Sequence, residues 1–424
     1  MGIKEKAKEL AKVILEQDKV CIITHCDADG ITGAAIAKKF LEEAGIKYEL
    51  QVAKYLDLSF LDKNKFFWLI DLGNGAIEEI VRRKINCVIT DHHYSNGYYE
   101  LSLNPFNFGI DGETHVSASA LVYLVAKEYY RNADLAIVGA IGDLQDLKYS
   151  KLVGINREIL MESNIKVKKD IRIYGRDKPL FQMLAYATNP FIPGLFKKER
   201  NAIAFLKEIG VDYKKKWMEC SKEEKRGILS AVIKRLLDCG FSYNYISRIF
   251  GEVYELDGND VRKFSTLLNS MAKYGYGKEA IEACFNKNFQ EKLLEIHKKR
   301  LKNYMEFAKR RLEEYNTFFF FHAESYISDT MLGTVAGMLL KEEDFPSPII
   351  AFTENEKGIK VSARAPYSLA NKGLNLSTAI KKIASKLGGE GGGHRCAAGA
   401  IIPKGKEKDF LRFFDAELKY QLTL

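Results

Sequence analysis

Over the first 150 residues, short apolar runs alternate with helical patterns. An apolar strand over residues 20–24 closes on His25-Cys26-Asp27-Ala28-Asp29-Gly30. The segment ITGAAIAKKFLEEAG follows, with apolar positions at helical spacing and Gly45 as its stop. Residues 48–53 predict a second strand. The apolar run 66–70 reaches Asp71, and a helical stretch covers 76–84. Residues 87–90 predict another strand, ending at Asp91-His92-His93, before helices near 117–130 and 133–141. Strand alternating with helix predicts a parallel sheet with helices on its faces.

From Pro190, Pro193 and Gly194 the pattern becomes mostly helical, and residues 289–315 read as one long charged helix. TFFFFH (317–322) is then a strand, and the tail alternates strands and helices again, with neighbouring strands at 347–352 and 359–363. The fold class expected is α/β in three parts: a parallel-sheet domain (1–190), a helical basic insert (191–316) and a smaller α/β domain (317–424).

Charge sharpens this division. The chain of 424 residues has a net charge of +9. Residues 197–316 hold 26 basic and 18 acidic groups, so most of the excess lies in the insert. Such a stretch suits either a phosphate backbone or a solvated helical surface. No apolar run reaches the length of a membrane span, and the charged amino-terminal helix has no signal core. A cytoplasmic protein with no membrane partner is expected. The seven cysteines include no C-x-x-C pair, which excludes a zinc ribbon or thioredoxin motif.

Three apolar strands thus run straight into Asp27/Asp29, Asp71 and Asp91/His92/His93. Parallel strands put all three clusters on one sheet edge, where open sheets bind ligands. In His25-x-Asp27-x-Asp29, alternate residues of an extended segment face one way, and carboxylate with imidazole suits Mn²⁺ or Mg²⁺. A calcium loop does not fit, because the twelfth position from Asp27 is Lys38. A lone Asp after a strand is usually a helix cap, but its place on the shared sheet edge favours Asp71 as a ligand. In GAIGDLQD, Asp143 and Asp146 are rival candidates. Near the end, Gly391-Gly392-Gly393-His394 lacks the GK[ST] of a P-loop and follows a helical pattern.

HCDADG, Asp71, DHH at 91–93 and GAIGD at 139–143 resemble, in order and spacing, the four motifs of the DHH phosphoesterase superfamily. SAR at 362–364 and GGGHRCAAG at 391–399 resemble its DHH-associated domain. The long insert looks most like the archaeal RecJ-like single-strand exonucleases, including the GINS-associated type. The resemblance covers roughly 1–190 and 317–424; HxDxD departs from the HxxxDxD of other members. It implies a DHH catalytic domain, a helical insert and a DHH-associated substrate-binding domain. It implies two Mn²⁺ (or Mg²⁺) ions on His25, Asp27, Asp29, Asp71, His92 and Asp143, with Asp71 bridging. His93 would contact the scissile phosphate and Asp91 would orient its neighbours. Arg364, Gly392, Gly393 and His394 would bind substrate phosphate. The activity implied is hydrolysis of single-stranded DNA, 5′→3′, in replication or repair. The alternatives are an RNA exonuclease, a small-substrate phosphodiesterase and a non-catalytic replisome scaffold. Single-stranded nucleic acid and a GINS-type replication protein are the partners implied.

Overall fold

The apolar run at 20–24 forms the centre of β1 (Lys19–His25). With β2 (Lys47–Ala53), β3 (Phe67–Ile70), β4 (Cys87–Thr90) and β5 (Ser102–Leu103) it makes a sheet ordered β2-β1-β3-β4-β5. Every neighbouring pair is parallel. This computed structural model describes residues 2–423 except Asn96, 188–190 and 343–345; Pro190 therefore lies outside the described residues.

Both faces of the sheet are covered, which is why β3 and β4 are buried throughout instead of alternating. Cys21, Ile23, Phe67, Leu69, Cys87 and Ile89 pack on one face with Ile77 and Ile80 of the short helix Ile77–Arg83. The other face lies under α1 (Ala28–Glu43) and α2 (Ala118–Ala126). There Phe40 meets Trp68 edge to face at 5.9 Å. A third helix, α3 (Ala133–Gly142), packs against α1 and α2.

The chain divides into two compact units. The first holds Met1–Ile171 and Phe250–His297, the second Arg172–Ile249 and Lys298–Leu424. The antiparallel strands β6 (Lys166–Ile171) and β7 (Phe250–Leu256) explain how the chain leaves the first unit and comes back, because Ile171 pairs with Phe250. A short β8 (Asn259–Asp260) completes that sheet. Of the stretch 191–316, residues to Ile249 therefore belong to the second unit. In the first unit, helix Val261–Lys273 packs on α1 and α3.

The long charged helix is Lys287–Arg310, shorter than its pattern suggested. Residues Glu313–Tyr315 instead form β9, which turns through Asn316 at φ 34° and pairs antiparallel with β10 (Phe318–His322). The second unit's sheet is ordered β13-β14-β12-β11-β10-β9. Its β11 (Ile349–Asn355) and β12 (Gly358–Arg364) are the expected neighbours, paired antiparallel. The glycine run is β13 (Glu390–His394), paired with β14 (Ala397–Ile402). One face of the sheet buries Ile350, Phe352, Ile359 and Val361 against Ile380, Phe410 and Phe414. The other face meets helix Asp329–Glu342 over β11 and β12. Among the described residues, no helix is long and apolar enough to cross a membrane.

Candidate metal centre

After β1 the chain returns through α1 to β2 on one side, and β3 then joins β1 on the other. The order reverses between β1 and β3, and at such a point the strand ends splay into a crevice. His25 ends β1, Asp71 directly follows β3, and Asp91, His92 and His93 directly follow β4. Asp71 adopts φ 57°, a conformation that non-glycine residues rarely take, so the backbone is bent to aim this side chain.

Asp27 caps α1: its Oδ1 accepts the Gly30 N–H at 2.9 Å, while its Oδ2 lies 2.8 Å from His25 Nδ1. His25 Nδ1 is also 3.2 Å from Asp71 Oδ2. The expectation that His25, Asp27 and Asp29 share one face is corrected here. The chain stops being extended at the Asp27 cap, so Asp29 reaches the cluster from the first turn of α1, on the His92 side and not beside His25 and Asp27. Asp29 is buried. It accepts the backbone N–H of Ala118 (2.7 Å) and of Ser119 (3.0 Å) in the first turn of α2, together with the Ser119 hydroxyl. Gly139 of α3 makes room for this, because a Cβ there would lie 2.1 Å from Ser119 Oγ and 2.6 Å from Asp29 Oδ1.

His92 Nδ1 is 2.6 Å from the Gly112 carbonyl and must donate to it. In the neutral ring Nε2 then keeps its lone pair, the tautomer a metal ligand needs. That nitrogen lies 3.4 Å from Asp71 Oδ1, 3.6 Å from Asp143 Oδ2 and 3.9 Å from Asp29 Oδ2. These gaps are long for hydrogen bonds. They suit ligands around a cation, whose donors at about 2.1 Å stand about 3 Å apart or more.

Two triads result. His25, Asp27 and Asp71 form one, and Asp29, His92 and Asp143 the other. Asp71 also groups with His92 and His93, so it touches both triads. Its Oδ1 is buried with no hydrogen-bond partner. A buried carboxylate oxygen left this way is costly unless something cationic meets it, so the donor set fits a hard divalent ion. Asp146, the rival to Asp143, is fully buried and paired with Arg262, which removes it from the cluster.

Charge crowding is legible in the proton affinities. Burial, together with the Asp27 charge, raises Asp71 to about 6. Burial raises Asp143 to about 7, with Asp29 and Asp71 adding to it. Burial works against the charged form of His25, yet the Asp27 and Asp71 carboxylates push it to about 11. Burial likewise opposes protonation of His92, and Asp71, Asp143 and Asp29 overcome it. The cluster thus holds protons on groups that could instead hold a cation.

His93 is arranged differently. Its Nδ1 lies 2.7 Å from Asp91 Oδ1, and 59% of its side chain is exposed, so Nε2 is left for a ligand. The Asp91 hydrogen bond raises its pKa. Asp91 in turn is buried and fixed by N–H groups of Asn74 (2.9 Å) and His93 (3.1 Å).

The second unit brings together the other four expected residues. Register places His394 opposite Ala397, which faces Arg364, and Gly392 opposite Gly399, which faces Ser362. His394, Gly392 and Arg364 therefore share one face of the sheet. A Cβ on Gly392 would meet nothing among the described residues, so no contact with them explains that glycine. Gly393 has φ 141°, and a Cβ there would lie 2.6 Å from the Ala397 carbonyl oxygen, so its need is conformational and steric. The Arg364 guanidinium donates to Ser362 Oγ and the Ala363 carbonyl, both neutral groups. Burial, aided by Arg364, lowers Lys341 on the facing helix to about 8.

Sequence reasoning missed Gln145 and Asn156. The Gln145 amide nitrogen is shared among Asp143 Oδ2 (3.0 Å), the Gly112 carbonyl (2.9 Å) and the Val116 carbonyl (3.1 Å). Its oxygen accepts from Asn156 Nδ2. Polar residues beside Asp143 and Asp146 gave a weak signal; only the fold shows them buried.

Comparison with known proteins agrees with this architecture. The DHH family N-terminal domain matches residues 19–144, the DHH-CID domain 173–250 and the DHHA1 domain 316–420. An uncharacterized protein of Methanocaldococcus jannaschii is 32% identical over 99% of both chains. Among solved structures, RecJ of Thermus thermophilus in complex with Mn²⁺ superposes with a TM-score of 0.57 at 16% identity. It covers 99% of this chain, which spans only 55% of that one. CDC45 from Entamoeba histolytica gives a TM-score of 0.61 at 11% identity, covering 98% of each chain. With its three DHH-type domains in order and its carboxylate–histidine cluster at the sheet's switch point, the chain belongs to the DHH superfamily, and it shares its fold with the RecJ and CDC45 structures.

Proposed function

We propose that the protein is a two-metal exonuclease that hydrolyses phosphodiester bonds of single-stranded DNA, 5′→3′, in replication or repair. The observation that carries this reading is Asp71, whose buried Oδ1 has no hydrogen-bond partner and which touches both triads. RecJ structures described as bound to Mn²⁺ or Mg²⁺ share the fold and support the choice of ions. His25 and Asp27 would hold one ion, Asp29, His92 and Asp143 the other, with Asp71 between them. When bound, two such ions supply an activated water and neutralise phosphoryl oxygens.

The chain's own groups do the rest. The α2 N–H groups orient Asp29, and Gly112 fixes the His92 tautomer. Asp91 holds the His93 Nδ1–H, so a protonated His93 presents Nε2–H to a phosphate oxygen. Within the second unit, Arg364 and His394 would take a substrate phosphate, with Gly392 leaving the strand surface open to it. Single-stranded nucleic acid is the partner this implies; a GINS-type replication protein is a further candidate on family grounds.

The test uses single strands of DNA and RNA labelled at either end, digested with Mn²⁺ and then with chelator. Stepwise release from the 5′ end of DNA is expected, with loss of activity in chelator and a drop of at least about 10³-fold in Asp71→Asn. Hydrolysis that persists in chelator, or in the folded Asp71→Asn protein, defeats the proposal.

A further inference from the structure

A groove of 690 Å³ opens on the second unit's sheet, lined by Lys357, Lys360, Glu390, Gly399, Ile401 and Pro403 among others. Lys360 pairs with Ile401, which pairs with Glu390, two residues along from the row of Ser362, Gly399 and Gly392. The next row is Arg364, Ala397 and His394. Because side chains repeat every second residue, Lys360 lies on the same face as Arg364 and His394. Its ammonium does not extend away from the sheet. It sits 3.3 Å from where a Cβ of Gly399 would be, over the floor of the groove. Lys357 stands in the turn just before β12, at the groove's far end.

We propose that Lys360 and Lys357 continue the phosphate site of Arg364 and His394 into a track along β12, one that holds a single strand of three nucleotides or more by its backbone. The proposal rests on the reading of Arg364 and His394 as phosphate ligands. From Lys357 to Arg364 the strand covers about 20 Å. Adjacent phosphates of one strand cannot span that distance, so a dinucleotide engages only the Arg364 end. Among the described lining residues, two cations stand against one acid, Glu390, which leaves the lining positive, as a polyanion requires. The sheet offers a bare glycine floor instead of aromatic platforms, which favours contact with backbone over reading of bases.

The test compares the full-length wild type with Lys360→Met and Lys357→Ala on a two-nucleotide and a twelve-nucleotide thymidine strand. KM and kcat are measured with Mn²⁺, and binding by fluorescence anisotropy in chelator over a range of salt. Each variant is expected to raise KM for the longer strand about fivefold or more with kcat unchanged. The dinucleotide constants should stay put, and the slope of log K against log salt should fall by about 0.7 per lysine. An unchanged KM for the longer strand, or an equal rise for both substrates, overturns the track. Hydrolysis of the dinucleotide alone by the wild type also overturns it but leaves the phosphodiesterase reading standing. Hydrolysis of neither defeats that reading itself. Lys357 is exposed in a turn, so its variant carries the test if Lys360→Met fails to fold.

Discussion

Gln145 shows how little of a site its ligands explain. Its amide ties Asp143 to the Gly112 carbonyl that fixes His92, and Asn156 holds the amide from behind. Leucine at 145 would fill most of the same volume while releasing both constraints. Gln145→Leu is expected to weaken Mn²⁺ binding about 10–100-fold, read by titration calorimetry on the intact chain. It should also lower the unfolding midpoint, since Asn156 loses its acceptor at a cost of about 1–3 kcal/mol. Unchanged Mn²⁺ affinity in a folded variant would show that the Gln145 hydrogen bonds do not set the ligands. Asp146 sits one residue beyond Gln145 and faces Arg262 instead of the cluster. Spacing alone leaves Asp143 and Asp146 as rivals, and only the turn after α3, with Leu144 at φ 61°, separates them.

Among the elements, β13 makes the clearest test of packing against function. Gly393 has a positive φ and a Cβ there would run into the Ala397 carbonyl oxygen, whereas a Cβ on Gly392 meets open space. Gly393→Ala is therefore expected to destabilise the protein by about 1–3 kcal/mol. Gly392→Ala should leave the unfolding midpoint unchanged or slightly raised, yet weaken binding of single strands in anisotropy measurements. If both substitutions act only on stability, the glycine run is structural. The same strand marks a limit of the sequence. A run of glycines carries no strand signal, so β13 exists because β14 pairs with it, a tertiary cause. In contrast, β1, β3 and β4 were legible because both sheet faces are covered and the strands stay apolar until the polar residue at the edge. The carboxylate–histidine cluster was legible for that reason too. The return of the chain through β7 was not: Val253 and Tyr254 are buried in a strand whose partner, β6, lies some eighty residues earlier.

For the molecule as a whole, the cluster makes stability depend on pH and metal together. In the metal-free protein Asp71 at about 6 and Asp143 at about 7 lie above the ordinary carboxylate value of 3.8. Between roughly pH 4 and 7 the folded state therefore binds more protons than the unfolded chain, and stability falls as pH rises through that window. His25, at about 11, acts in the same direction from about pH 6.5 upward. Divalent ions compete for the same groups, so Mn²⁺ affinity should climb over the window in which the carboxylates lose their protons. At a hundredfold excess over Kd the ion adds about 2.7 kcal/mol. That corresponds to a rise of about 5–10 °C in the unfolding midpoint for a unit of this size. The expected result in scanning calorimetry is a larger Mn²⁺-induced rise at pH 8 than at pH 5.5, and in titration calorimetry more protons released per ion at pH 5.5. An Mn²⁺ effect equal at both pH values would mean that the ion binds somewhere other than these carboxylates. In Asp71→Asn the dependence should flatten, because the group that touches both triads no longer carries a charge to be neutralised.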